Sequence, residues 1–197
     1  TIEKIGIQVD FHCERAGFFP IGAGQIQTTI HPWIQQTKYT ALDKGQLIST
    51  HAYAAALNIP TDIADRELET LHNKLDLSTR KRLNFKGISQ GNTAYVILNY
   101  EQHQQVFSAL GEMKKSAEKV AHDLSKEVKA YLESEAVADE YLADQLLLPL
   151  ALGKGGEFTA KVISEHTKTQ AEMIQKFIDC DIQFIKIGNN FKVNVSV

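Results

Sequence analysis

The most informative stretch of the sequence reads YLADQLLLPLAL, at residues 141–152. Its apolar positions recur at helical spacing, and three of them are expected to form a buried face: Leu142, Leu146 and Leu150. Tyr141, Asp144 and Gln145 fall together on another face, at positions i, i+3 and i+4. An aspartate beside an amide and an aromatic ring could hold a purine base or a metal-bound phosphate. The alternative interpretation is a polar face exposed to solvent.

A second feature is a glycine-punctuated segment, GFFPIGAG, at residues 17–24. It lies between two stretches that alternate apolar and polar residues, 5–15 and 25–31, so we predict two strands joined by a turn. Because the segment leads into a strand and not into a helix, it lacks the geometry of a dinucleotide or P-loop fingerprint. It is typical of a turn that requires positive φ, with contact to a ligand as the alternative.

A third feature is His166, which lies between a predicted strand over residues 158–163 and a predicted helix over residues 169–178. Thr169 and Glu172 would form the capping box of this helix. The positive end of a helix dipole favours an uncharged, nucleophilic imidazole and also attracts phosphate. The alternative is a surface or capping histidine. The other histidines have no metal-ligand spacing: His12, His31, His51, His72, His103 and His122.

The rest of the chain alternates between helical and extended patterns. The predicted elements are two strands over residues 39–56, a helix over 61–75 capped by Thr61 or Asp62, a strand over 93–100, a long helix opening at Ser116, a helix over 139–152, and a hairpin over 182–197 that turns at 188–190. Interleaved helices and strands predict an α+β fold with helices on one face of a sheet.

Composition and charge narrow the classes of function. With 197 residues, of which 43% are hydrophobic, the chain can bury one or two cores, which excludes disordered, collagen-like and coiled-coil classes. Its 21 Lys and Arg against 24 Asp and Glu exclude a strongly basic protein, so any nucleic acid would be held locally. The one basic cluster is read as a solvated loop or helix end, with a phosphate-contacting patch as the alternative: Arg80, Lys81, Arg82 and Lys86.

Cysteine usage and hydropathy favour a cytoplasmic protein. Cys13 and Cys180 form no C-x-x-C pair, which argues against a zinc ribbon, a thioredoxin-type motif and a disulfide scaffold. The longest apolar run, residues 146–152, contains Pro149 and is too short to span a bilayer, and no signal sequence opens the chain. We therefore expect a reducing compartment and no membrane partner.

Taken together, these segments resemble RNA 3'-terminal phosphate cyclases over essentially the whole chain. That family carries, in order, a GFYPxGGG-type turn, a YLADQLxLPxAL helix, a G-x-GEFT segment and a histidine before a helix. The matching positions here are residues 17–24, 141–152 and 155–159, and His166. The length of the tract at residues 141–152 makes the resemblance specific.

The resemblance implies an ATP-dependent, ligase-class reaction that converts an RNA 3'-terminal phosphate into a 2',3'-cyclic phosphodiester. It would run through an adenylylated histidine, matched by His166, and an RNA-adenylate. Five residues match the ATP-binding tract of the family: Tyr141, Leu142, Ala143, Asp144 and Gln145. Mg²⁺ or Mn²⁺ would neutralise the triphosphate, and Asp144 is the local candidate to help hold the metal. The implied partners are ATP and an RNA 3'-phosphate end.

The family fold implies a large domain of repeated β-α-β-α-β-β units and a smaller inserted α/β domain. We assign residues 1–34 and 111–197 to the large domain and residues 35–110 to the inserted one. The family's N-terminal part, with an E-G-G-G-Q-type motif and arginines for RNA phosphate, has no counterpart here, and Ala23 replaces a glycine of its turn. We therefore expect an incomplete enzyme that works with a separate N-terminal part or as a homo-oligomer.

Two other functions compete with the cyclase. One is a non-catalytic, cyclase-like scaffold in RNA processing or ribosome assembly. Relatives of that kind lack the nucleophilic histidine, so the presence of His166 argues against it. The other is a folding unit without activity of its own.

Overall fold

The computed structural model describes residues 2–197, and in these residues a short 3-10 helix, Ile2–Ile5, precedes ten strands and four α-helices. The strands are β1 (Val9–Arg15), β2 (Gln25–Ile30), β3 (Tyr39–Ala41), β4 (Leu47–Leu57), β5 (Thr79–Leu83), β6 (Gly91–Tyr100), β7 (Gln104–Leu110), β8 (Gly156–Ala160), β9 (Asp181–Ile187) and β10 (Asn190–Ser196). The helices are α1 (Asp62–His72), α2 (Ala117–Leu132), α3 (Glu140–Leu152) and α4 (Glu165–Phe177).

The strands form three separate sheets, and the α+β class is confirmed. An antiparallel ribbon pairs β1 with β2. The first four-stranded sheet has the order β3-β8-β10-β9, with β3 parallel to β8 and the other pairs antiparallel. The second has the order β5-β4-β6-β7, with β5 parallel to β4. No helix within residues 2–197 is both long and apolar enough to cross a membrane.

The first sheet is covered by α3 and α4. The apolar face of α3 packs on β8 and β10, where Phe158 and Val193 are fully buried. Burial of this face, which includes Leu146, Leu147 and Leu150, supplies most of the free energy that holds α3 in place. The core of the first sheet therefore carries the tract at residues 141–152.

The second sheet is covered by α1 and α2. Side chains at even positions of β4 and β6 point into this core, and α2 adds a stripe at helical spacing: Ala121, Leu124, Val128 and Tyr131. The predicted start of this helix at Ser116 is confirmed, and Ser116 is its N-cap, since its Oγ accepts a hydrogen bond from the backbone N–H of Lys119. The predicted domain boundary between residues 110 and 111 stays a prediction. At the level of packing, α2 shares a core with the strands that precede that boundary.

The interpretation of the basic cluster as a solvated loop or helix end is wrong for Arg80, Lys81 and Arg82, whereas Lys86 is exposed in a loop. Residues 79–83 form the edge strand β5. Arg80 pairs with Glu69 at 2.5 Å and Arg82 pairs with Asp65 at 2.9 Å, both carboxylates lying on α1. Because side chains alternate along a strand, both arginines point towards α1, and the carboxylates of α1 neutralise their charge.

Candidate functional site

Helix α3 begins at Asp139, whose side chain caps it by accepting a hydrogen bond from the backbone N–H of Leu142 at 2.7 Å. The predicted site residues of this helix differ in exposure. Tyr141 is 66% exposed and Gln145 is exposed, whereas Leu142 is half-buried and Ala143 is fully buried. Because the Ala143 side chain lies in the core, only its backbone could contact a ligand.

Helix α4 begins earlier than predicted, which changes the position of His166. Ser164 is the N-cap, and its Oγ accepts a hydrogen bond from the backbone N–H of Thr167 at 3.1 Å. The predicted capping box at Thr169 is wrong, because Thr169 lies inside the helix and donates its hydroxyl to the carbonyl of Glu165. His166 therefore belongs to the first turn of α4, where free backbone N–H groups favour a bound anion.

Asp144 of α3 faces His166 of α4 across the packed pair of helices. His166 Nδ1 lies 3.0 Å from Asp144 Oδ1, with the histidine side chain 79% exposed and the aspartate 21% exposed. A carboxylate oxygen only accepts hydrogen bonds, so in a neutral imidazole this contact favours the tautomer with its hydrogen on Nδ1. The lone pair then stays on Nε2, the nitrogen available for nucleophilic attack.

Gln170 completes this cluster and was missed in the sequence analysis. With its amide nitrogen turned towards α3, it donates to Asp144 Oδ1 at 2.5 Å and to the Asp144 carbonyl at 2.7 Å. Gln170 lies one helical turn after His166, so both side chains reach Asp144 from the same face of α4. The spacing of His166 and Gln170 in the sequence is i, i+4, but it indicates a shared helix face only if the helix is known to begin before His166.

Tyr141 and Gln145 do not join the Asp144–His166 contact. They line a cleft of about 540 Å³ between α3 and the edge strand β7, together with Glu127 and Asp139. Burial raises the pKa values of Glu127 and Asp139, and neighbouring carboxylates raise them further. The predicted polar face of α3 is thus divided between two neighbours, a histidine on one side and an acidic cleft on the other.

The glycine-punctuated turn belongs to a different part of the molecule. The prediction of positive φ is confirmed at Gly22 (φ +66°) and also holds for Ala23 (φ +56°). Phe18 donates its backbone N–H to Ser89 Oγ at 2.8 Å and places its ring over Gly91, where a Cβ would lie 2.4 Å from a ring carbon. The turn therefore packs against the beginning of β6.

Among residues 2–197, no three or more His, Cys, Asp and Glu side chains are grouped so that they could hold a metal ion. Asp144 is a single carboxylate beside a histidine and an amide. Such a residue could hold Mg²⁺ only together with oxygen ligands from a bound phosphate, which is the usual pattern for nucleotide-dependent magnesium sites.

Comparison with known proteins gives the family. The family model for RNA 3'-terminal phosphate cyclase matches residues 1–184. A protein of Koribacter versatilis named RNA 3'-terminal phosphate cyclase is 37% identical over 198 residues, covering 99% of this chain. The chain spans 56% of the length of that relative. On these matches, the chain belongs to the RNA 3'-terminal phosphate cyclase family.

Proposed function

We propose that this chain carries the nucleotidyl-transfer site of an ATP-dependent RNA 3'-terminal phosphate cyclase, a ligase-class enzyme. The observation that carries the proposal is the contact of 3.0 Å between Asp144 Oδ1 and His166 Nδ1 in the first turn of α4. It supplies a nucleophile with a defined tautomer, an orienting carboxylate and a helix N-terminus that attracts phosphate. Family membership and the name of the Koribacter relative support the same reaction.

His166 Nε2 would attack the α-phosphate of ATP. A bond forms between Nε2 and phosphorus, the bond from phosphorus to the bridging oxygen breaks, and pyrophosphate leaves with the electron pair. The imidazole becomes positively charged during attack, and Asp144 stabilises that charge through Nδ1–H. AMP then passes from His166 to the RNA 3'-phosphate, and the 2'-hydroxyl displaces AMP to close the cyclic phosphodiester.

Tyr141 and Gln145 would bind the base and not the phosphates of ATP. The cleft that they line also carries Glu127 and Asp139, so negative charge there disfavours a triphosphate. An uncharged purine can stack on the exposed ring of Tyr141 and accept or donate hydrogen bonds at the Gln145 amide. The phosphates would then lie towards Asp144 and His166, where Mg²⁺ or Mn²⁺ neutralises them and Asp144 is the candidate protein ligand.

Transfer of label from α-labelled ATP to protein tests this proposal. The chain is incubated with ATP and Mg²⁺ or Mn²⁺, alone and with the part of the Koribacter relative that lies outside the match. We expect acid-labile, base-stable label that His166→Ala abolishes. Asp144→Asn should slow labelling about 100-fold, because the neutral amide does not stabilise the charged imidazole and can donate to Nδ1, which favours the wrong tautomer.

The chain contains a matched control in a second histidine–aspartate pair. His31 Nε2 lies 2.8 Å from Asp10 Oδ2 on the exposed ribbon. His31→Ala and Asp10→Asn should leave labelling unchanged. Label that persists in His166→Ala would remove the nucleophile assignment. RNA binding without label in either arm would favour the non-catalytic scaffold, and an Asp144→Asn variant with unchanged metal dependence would remove Asp144 as a metal ligand.

A further inference from the structure

Among the elements of residues 2–197, no helix covers one face of the second sheet. Even-numbered side chains of β4 and β6 pack against α1 and α2, so the odd-numbered ones point to the opposite side. On that side Tyr53 of β4 and Tyr95 of β6 are direct cross-strand partners. Their rings stack with centroids 5.0 Å apart and an interplanar angle of 20°, and both remain partly exposed. We call this side of β5-β4-β6-β7 the open face.

The open face combines aromatic and polar side chains with apolar ones, among them Ile97, Val106 and Leu110. Lys81 of β5 lies beside Tyr53, and Ser108 of β7 lies beside Tyr95, so one row crosses the whole sheet. The next row contains a hydrogen-bonded group in which His51 contacts Thr79 and Ser49. Within the described part of the chain, the strands contribute no carboxylate to this face, and Lys81 makes no ion pair, in contrast to Arg80 and Arg82 on the opposite side.

The open face is continuous with the cleft that borders α3. Val106 and Ser108 of β7 lie on the open face and also line the cleft that contains Tyr141 and Gln145. A polymer bound on the open face therefore comes to the β7 rim of this cleft, without placing its phosphates beside Glu127 and Asp139. This continuity distinguishes the open face from an unrelated exposed surface.

We propose that the open face binds single-stranded RNA, with bases stacked on Tyr53 and Tyr95 and a phosphate held by Lys81. In one class of RNA-binding module, a four-stranded sheet stacks two or three bases of single-stranded RNA on its aromatic side chains; here the aromatic pair lies on β4 and β6, the central strands. Lys81, which has no strand carboxylate beside it on this face, complements the phosphate backbone. The choice of RNA as the polymer rests on the proposed function.

Binding of a fluorescently labelled single-stranded RNA, measured by anisotropy without ATP, tests the inference. The Tyr53→Leu/Tyr95→Leu double variant should bind at least about tenfold more weakly, because each stacked base contributes substantially to affinity. The Tyr53→Phe/Tyr95→Phe variant should bind within about twofold of the parent, since it keeps both rings. Circular dichroism and thermal melting of both variants separate loss of binding from loss of folding.

Two charge substitutions on β5 test whether Lys81 contacts a phosphate of the RNA. Lys81→Gln should reduce the slope of log K against log salt by about 0.7, the value for one phosphate contact to a single strand. Arg80→Gln removes a charge from the same strand on the other side of the sheet and should leave the slope unchanged. Equal slopes for the two variants would overturn the assignment of Lys81.

Other outcomes separate this inference from the proposed function. His166→Ala should retain RNA binding, and loss of binding in that variant would place the RNA elsewhere. Unchanged affinity in the double leucine variant would overturn the inference, as would a concentration-dependent dimer in sedimentation velocity that this variant abolishes. If His166 is labelled but RNA does not bind at the open face, the inference is overturned and the proposed function stands. If RNA binds at the open face but His166 is not labelled, the inference stands and the proposed function is overturned.

Discussion

Glu67 is a fully buried carboxyl on the inner face of α1. Asn92 donates its side-chain amide to Oε1, whereas no partner contacts Oε2 within the described residues. Burial raises the pKa of Glu67 to about 7, and the hydrogen bond from Asn92 opposes that rise. At pH values between the usual pKa of a glutamate and this raised pKa, the side chain of Glu67 is protonated and neutral, whereas an exposed glutamate is ionised.

This carboxyl makes stability depend on pH. The unfolded chain releases the proton near pH 4.5 and the folded chain near 7, so the folded state holds the extra proton between these values. The free energy of unfolding should therefore fall as pH rises through this window, by about 3 kcal/mol at most, and change little from this group outside it. Glu67→Gln should abolish that fall, as measured by urea denaturation at pH 5 and pH 8.

Glu69→Gln is the matched control for this prediction. Glu69 lies on the same helix but is exposed, in an ion pair with Arg80. Its substitution should change the free energy of unfolding by about 0.5 kcal/mol or less, with no special dependence between pH 5 and pH 8. A Glu67→Gln variant that keeps the pH dependence of the parent would show that Glu67 is ionised in the folded state.

At the scale of an element, the start of α4 determines the geometry of the candidate site. Ser164 ends the extended backbone and leaves its hydroxyl to satisfy the N–H of Thr167. His166 and Gln170 then lie one turn apart on the face that meets Asp144. A helix that began at Thr169 would leave His166 in a loop, without this register.

The assignment of the cap leads to a stability prediction. Ser164→Ala should lower the free energy of unfolding by about 1 kcal/mol, because the N–H of Thr167 loses its partner. Thr169→Ala should cost at most about 0.5 kcal/mol, because this threonine lies inside the helix, where an alanine is well tolerated. Chemical denaturation of the two variants measures the difference. A larger loss of unfolding free energy for Thr169→Ala than for Ser164→Ala would show that Thr169 is the cap of the helix.

At the scale of the whole molecule, a polar link joins the second sheet to the N-terminus of α3, the helix that covers the first sheet. Gln105 of β7 donates its amide to Asp139 Oδ2 at 2.9 Å, and its oxygen lies 3.3 Å from His103 Nε2. Burial lowers the pKa of His103 to about 4, so the ring is neutral at pH 7 and donates to Gln105. Because Asp139 also caps α3, this link sets the position of the candidate site against the second sheet.

Gln105→Leu should therefore destabilise the protein by about 1 kcal/mol, because it leaves the buried His103 Nε2 without a partner and removes a hydrogen bond to the half-buried Asp139. Gln104→Leu is the control, since Gln104 is exposed on the opposite side of the same strand, and its effect should stay within about 0.5 kcal/mol. Urea denaturation gives both values. Equal losses for the two variants would mean that the link does not contribute to stability.

Much of the local structure could be predicted from the sequence. The periodic stripe of α2 and its Ser116 cap, the helix that begins at Asp139, and the final hairpin all agree with the structure. These elements could be predicted because their signals lie within a few residues of the element itself. The strand β7 was missed, although its buried and exposed residues alternate. The residues of β5 were misread as a solvated loop or helix end, because a charged edge strand lacks the apolar pattern of a buried strand.

The candidate site was only partly predictable. Asp144 and His166 were identified separately, but their contact was not, because it depends on how α3 and α4 pack against each other. Tyr141 and Gln145 were expected beside Asp144, whereas the packing of α3 turns them towards β7. Residues at positions i, i+3 and i+4, such as Tyr141, Asp144 and Gln145, are spread over a broad arc of the helix surface. The elements that pack around the helix determine which of these residues come together in one site.

The sequence by itself determined the family, the α+β class and the faces of the helices that are buried. The tertiary structure alone determined that Asp144 meets His166, that Gln105 joins the second sheet to the start of α3, and that Tyr53 and Tyr95 stack on an open face. The physical reason is that periodicity reports which side of an element leaves water, and carries no information about the element it meets. Contacts between distant residues arise only when whole elements pack together.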